Sequence, residues 1–125
     1  MPKRLTWEAA FNIGHEVIDA QHRDLLEHCN RLADHALPVT EEADQAFRQG
    51  FDALMALVRQ HFAAEEALLA GHPDLEDYRH ACEEFEYLVA EIATTENFDK
   101  IELQRFLALW AVGHILEDAK RAHTG

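Results

Sequence analysis

Apolar positions recur three and four residues apart in four separate stretches of the chain, and nowhere do they alternate with period two for long. That spacing is the mark of amphipathic helices. The clearest run, Phe47, Phe51, Leu54, Leu57 and Val58, predicts a helix over residues 40–70, with Glu41 and Glu42 in its first turn complementing the helix dipole. Ahead of it a helix is predicted over residues 19–37, N-capped by Asp19 and followed by Pro38, with His22, Leu25, Leu26, Cys29 and Leu32 on its inward stripe. Pro73 suits the first turn of a third helix over residues 73–94, on which Tyr78, His80, Ala81, Glu84, Phe85, Leu88, Val89 and Ile92 are read as the patterned positions. Asp99-Lys-Ile-Glu102 reads as a capping box, with Phe98 and Leu103 as its hydrophobic staple. It opens a fourth helix, over residues 99–122, that carries Leu103, Phe106, Leu107, Trp110, His114 and Asp118. Residues 1–18 read as an irregular arm interrupted at Gly14. Four amphipathic helices joined by short loops predict an all-α fold, an up-down-up-down antiparallel four-helix bundle forming one domain over residues 1–125.

Composition narrows the function. At 125 residues and 48% apolar, the chain is long and apolar enough for a single buried core. A formal net charge of −13 argues against nucleic-acid binding and against docking on anionic membranes. No apolar run reaches the length of a membrane span or a signal peptide, so a cytoplasmic location is expected. Cys29 and Cys82 form no C-x-x-C pair, and reduced thiols are expected.

Nine histidines are the compositional fact that calls for explanation. Extended by one turn, the apolar stripe of the second helix lands on His61 and then on Glu65, which puts an imidazole and a carboxylate into the interior. Polar groups there are costly unless paired or bound to metal. His80 with Glu84 and His114 with Asp118 repeat the spacing on two further helices, and His22 stands alone on the first. Spacing by itself is weak: 24 acidic residues in 125 give about one histidine in five a carboxylate four residues on. Five such pairs occur, of which His15–Asp19 and His72–Glu76 straddle helix starts, while the other three continue apolar stripes. Inward imidazoles and carboxylates projecting from facing helices are how a bundle builds a metal site, and the donor types suit iron, manganese or zinc. Four histidines and three carboxylates exceed one zinc and suit two metals sharing bridging carboxylates.

Four stretches resemble the bacterial hemerythrins: Trp7 with Phe11-Asn-Ile-Gly14, Ile18-Asp-Ala-Gln-His22, His61-Phe-Ala-Ala-Glu-Glu66, and Trp110-Ala-Val-Gly-His-Ile115. The resemblance covers nearly the whole length. It implies a bundle holding two non-heme iron ions (Fe2+/Fe3+), oxo/hydroxo- and carboxylate-bridged. One iron would be held by His22 and His61 and keep an open position; the other would take the third- and fourth-helix ligands, with Glu65 and Asp118 bridging. The family's third helix usually carries His-x-x-x-His. Counting from His61 puts those positions on His80 and Glu84, whereas anchoring on Pro73 puts them on Tyr78 and Cys82. The first register is preferred, because the loop before Pro73 looks shortened and Tyr87-Leu88 then fall at apolar positions. The family's fourth helix usually spaces its His and Asp five apart. Here position 119 is Ala, and Asp118 is the expected substitute ahead of Glu117.

The function so implied is binding of O2 or a related small oxidant, for storage, sensing or delivery. Glu84 as a ligand would stabilise Fe(III) and favour the alternative of a diiron oxidase, peroxidase or NO reductase. A sensor of iron or redox state is the third reading. Tyr87, three after Glu84, is read as a core tyrosine within reach of it. Gly113 is read as a point of close helix approach.

Overall fold

The computed structural model describes residues 1–95 and 98–124, with side chains described as far as 122. The described residues form a short 3-10 turn, Ala9–Phe11, and four helices: α1 (Glu16–Asp34), α2 (Glu41–Leu68), α3 (Leu75–Thr94) and α4 (Lys100–Thr124). They contain no strand. α1 packs on α2 and α4, α2 also packs on α3, and the 3-10 turn lies against α4. With loops of about six residues or fewer between successive helices, this is an all-α four-helix bundle. No helix among the described residues is long and apolar enough to cross a membrane.

Local chemistry accounts for each helix boundary. α1 starts three residues before the Asp19 expected to cap it. His15 is the N-cap, its Nδ1 accepting from the Ile18 N–H at 3.2 Å. Asp19 instead reaches back along the chain, accepting from the Ile13 and Gly14 N–H groups at 3.0 and 3.2 Å. Gly14 sits at φ +82°, a left-handed conformation that favours glycine, and so turns the arm into the helix. Thr40 caps α2 through the Ala43 N–H. Asp99 caps α4, its Oδ1 accepting from the N–H groups of Ile101 and Glu102. Pro73 falls in the turn before α3 rather than inside it.

The core runs the length of the bundle. Leu25, Leu32, Phe47, Leu54, Val58, Leu103, Leu107 and Ile115 are all 0–1% exposed. Gln104, also fully buried, ties the N-terminal arm down: its amide accepts from the Lys3 N–H and donates to the carbonyls of Lys3 and Cys29. Asn30 does the same at Leu5. At the end where α4 begins, the Lys100 ammonium donates to the His35 and Pro38 carbonyls and pairs with Asp44. The opposite end gathers the start of α1, the last turns of α2, the start of α3 and the last turns of α4, and there the core becomes polar.

The α3 register differs from the expected one. Tyr78, Cys82, Phe85 and Val89 face the interior, whereas His80 and Glu84 are exposed. Tyr87 is exposed as well, 64% of it open to solvent, and donates to Glu91. The spacing 78, 82, 85, 89 is itself an apolar stripe, and burying an aromatic ring and a thiol is favoured over burying an imidazole and a carboxylate.

Candidate metal centre

Five side chains from three helices converge at the polar end: His22 of α1, His61 and Glu65 of α2, and His114 and Asp118 of α4. One ligand atom from each lies within 4.8 Å of every other. The apolar stripe of α2 puts His61 and Glu65 one above the other, with His61 Nε2 2.6 Å from Glu65 Oε1. The same device on α4 sets His114 Nε2 3.3 Å from Asp118 Oδ2. Across helices, His22 Nε2 meets Asp118 Oδ2 at 2.9 Å, His114 Nε2 meets Glu65 Oε1 at 2.6 Å, and the His61 and His114 Nε2 atoms are 3.1 Å apart.

Neighbouring groups hold the rings in place. His61 Nδ1 donates to Gln21 Oε1 at 2.7 Å, which orients the ring and aims Nε2 at the cluster, the atom a metal would take in place of a proton. His22 Nδ1 has no hydrogen-bond partner among the described residues. Trp110 stacks on His114 with ring centroids 4.9 Å apart, and Phe85 stacks on Trp110 in turn at 3.9 Å. Phe62 packs against His114, Tyr78 and Trp110.

The electrostatics favour a cation. Burial alone would raise the Asp118 pKa, but the His22 hydrogen bond and the nearby His61 imidazole outweigh it and hold the carboxyl far below the usual range. Burial alone would lower the His61 pKa, yet the neighbouring Asp118 and Glu65 carboxylates push it up to about 9. Two buried acids thus draw positive charge into the site. Burial, reinforced by the Glu65 carboxylate, pushes the Tyr78 phenol upward, so it stays protonated and donates to Glu65 Oε1 at 2.9 Å.

A pocket of roughly 480 Å3 opens between the start of α3 and the end of α4. Phe62, Tyr78, Trp110, His114, Asp118 and Arg121 are among the residues that line it. Through it His114 is 11% exposed, while His22 and His61 are sealed. Glu117, the lesser candidate for the fourth-helix acid, is exposed at the pocket's edge, and Asp118 is the acid turned inward. Gly113 lines the same opening, and no atom lies within 4 Å of where its Cβ would be, so no helix approaches closely there.

His80 and Glu84 do not join the cluster; α3 brings Tyr78 and Cys82 to that side instead. Sequence reasoning passed over three residues that shape the site: Gln21, Tyr78 as a partner of Glu65, and Arg121. Gln21 immediately precedes His22, but nothing in its spacing marks it as the support of a histidine forty positions on. Arg121 lies three after Asp118, a spacing that pairs side chains on one helix face.

The donor set fits a metal ion. Three imidazoles and two carboxylates, buried and aimed at one volume, match the preferences of iron, manganese or zinc. The model of the family described as "Hemerythrin HHE cation binding domain" matches residues 13–122. A bacteriohemerythrin from Stenotrophomonas maltophilia (strain R551-3) is 32% identical over 120 residues, covering 91% of this chain and 76% of that protein. No solved structure matches significantly.

Proposed function

Because the chain belongs to the hemerythrin HHE cation-binding family, we propose that its polar end is an iron centre that takes up O2 or a related small oxidant, for storage, sensing or delivery. The observation that carries this reading is a five-donor cluster sealed on all sides except for a pocket that reaches His114. His22, His61, Glu65, His114 and Asp118 would hold the metal. Iron, when bound, supplies a redox-active ion able to take a small ligand at an open position. Gln21 orients His61, Trp110 fixes the plane of His114, and Phe62 screens the donors from bulk water. A pocket mouth lined by Tyr78 and Trp110 admits a small molecule beside the donors.

The oxidase, peroxidase and NO-reductase reading drew on Glu84 as an extra metal-bound carboxylate. Glu84 is exposed on α3, so that support falls away and small-ligand binding is retained.

The test is anaerobic reduction of the iron-loaded protein followed by air. A ligand-to-iron charge-transfer band that forms in air and disappears under vacuum is the expected result. Immediate and irreversible oxidation would remove oxygen carriage, and turnover of peroxide or NO faster than by free iron would replace it with catalysis.

A further inference from the structure

The family resemblance implies two iron ions, and the residues of this chain do not fit the second. We propose that the centre holds a single metal ion, with the α3 side lined by Tyr78, Cys82 and Arg121 in place of further ligands. The inference rests on the metal reading above and sets its stoichiometry.

The number of donors is the first argument. With Glu65 and Asp118 shared between two ions, one ion would keep His22 and His61, and the other would keep His114 alone as a nitrogen ligand. The ligands missing from that second ion would have to come from α3. That helix turns a phenol and a thiol inward, and sends its own His–Glu pair to solvent. Cys82 is not among the side chains whose ligand atoms converge at the cluster.

Size is the second. Donors around one ion with bonds of about 2.0–2.2 Å lie at most about 4.4 Å apart. Two ions about 3.5–4 Å apart spread their outer donors to roughly twice that span. One ligand atom from each of the five residues lies within 4.8 Å of every other, a little above the single-ion figure and well short of the two-ion one.

Charge is the third. A bridging carboxylate offers one oxygen to each metal. Asp118 turns Oδ2 to the histidines, but its Oδ1 accepts from the Arg121 guanidinium at 3.1 Å. Arg121 also lies over the Tyr78 ring, 5.8 Å from its centroid. A fixed positive charge therefore stands on the side where the second ion would sit. One divalent cation neutralises Glu65 and Asp118; a second would need further anionic ligands, which no other side chain of the cluster supplies.

The experiment loads the metal-free protein anaerobically with ferrous iron. Ions per chain are counted by native mass spectrometry and elemental analysis, and the air-oxidised sample is examined by electron paramagnetic resonance. The expected result is one ion per chain and the half-integer-spin signal of an isolated ferric ion. Two ions per chain with a silent, antiferromagnetically coupled pair would overturn the inference and leave the iron reading standing. No bound ion would remove both. A second arm uses Tyr78→His/Cys82→His, with helicity checked by circular dichroism. Restoring two histidines four apart on α3 is expected to raise the count from one to two. If a folded double variant still binds one, α3 is not what limits the count and the assignment fails.

Discussion

α2 and α3 approach the polar end of the bundle with the same device, two side chains four apart on the inward face, and deliver opposite chemistry. α2 sends His61 and Glu65; α3 sends Tyr78 and Cys82. Both pairs continue an apolar stripe, and both are buried. α3 also carries His80 and Glu84 at the His–Glu spacing of α2, yet on its exposed face they meet none of the other donors. The contrast teaches that i, i+4 spacing creates a pair of neighbours, whereas the stripe it interrupts decides whether that pair meets other helices.

Breaking a donor is the largest test of the contrast. His61→Ala is expected to weaken iron binding by more than about 100-fold, beyond what loss of a supporting hydrogen bond costs. His80→Ala and Glu84→Ala are expected to change it less than about twofold, since both side chains lie in solvent. Competition with a chelator of known affinity measures all three. Comparable losses on the two helices would end the distinction between them.

The next largest effect lies in the apolar part of the core. Phe47 of α2 is fully buried, and Phe47→Ala is expected to cost about 3–5 kcal/mol in urea unfolding of the metal-free protein. Leu88 of α3, 38% exposed, is expected to cost less than about 1 kcal/mol when cut to Ala. Between these effects and the mildest lies the support of the site. Gln21→Leu removes the acceptor at His61 Nδ1 and is expected to weaken metal binding about 10–100-fold with little change in helicity.

The thiols offer a comparison across pH. Burial pushes Cys29 of α1 up to about 12, from an ordinary value of 9.0. A thiol held protonated in the fold adds stability that is whole below its unfolded pKa and is lost as pH rises toward the folded value. Unfolding free energy should therefore fall between pH 9 and pH 12, and Cys29→Ala should flatten part of that fall. An equal alkaline loss in the variant would mean that the thiol is not its source.

How much of this was legible in the sequence follows from how strongly each stripe constrains its helix. On α2, Phe47, Leu54 and Val58 leave one inward face, and His61 and Glu65 extend it without ambiguity. On α4 the same holds for Leu103, Leu107 and His114. α3 offers two overlapping faces that share Phe85. One runs through Tyr78, Cys82 and Val89, and the other through Ala81, Glu84 and Leu88. A reading drawn to histidine favours the second, although cysteine is among the most buried residue types. The start of α1 was misplaced for a related reason. Asp19 is a strong capping residue by type, but its carboxylate bonds backward to Ile13 and Gly14, and His15 does the capping. Supports such as Gln21 and Gln104 act between residues far apart in sequence, a relation that periodicity does not encode.

The smallest expected effect probes the gap between α3 and α4. Gly113 lies within α4 at the pocket edge, and a Cβ placed there meets nothing within 4 Å. Glycine inside a helix costs about 0.5–1 kcal/mol relative to alanine through backbone entropy. Gly113→Ala should therefore stabilise the protein by about that amount, raising Tm by roughly 2–5 °C, and leave metal affinity unchanged because the added methyl points into open space. Gly50 of α2 supplies the contrast. Its Cβ would sit 3.1 Å from Leu32 Cδ2, so the Leu32 side chain must shift by a few tenths of an ångström before the same substitution gains anything. Thermal unfolding of the two variants side by side measures how closely each pair of helices is packed. A destabilised Gly113→Ala would mean that the opening beside α3 is filled by packed atoms, and the route proposed for a small ligand would be closed.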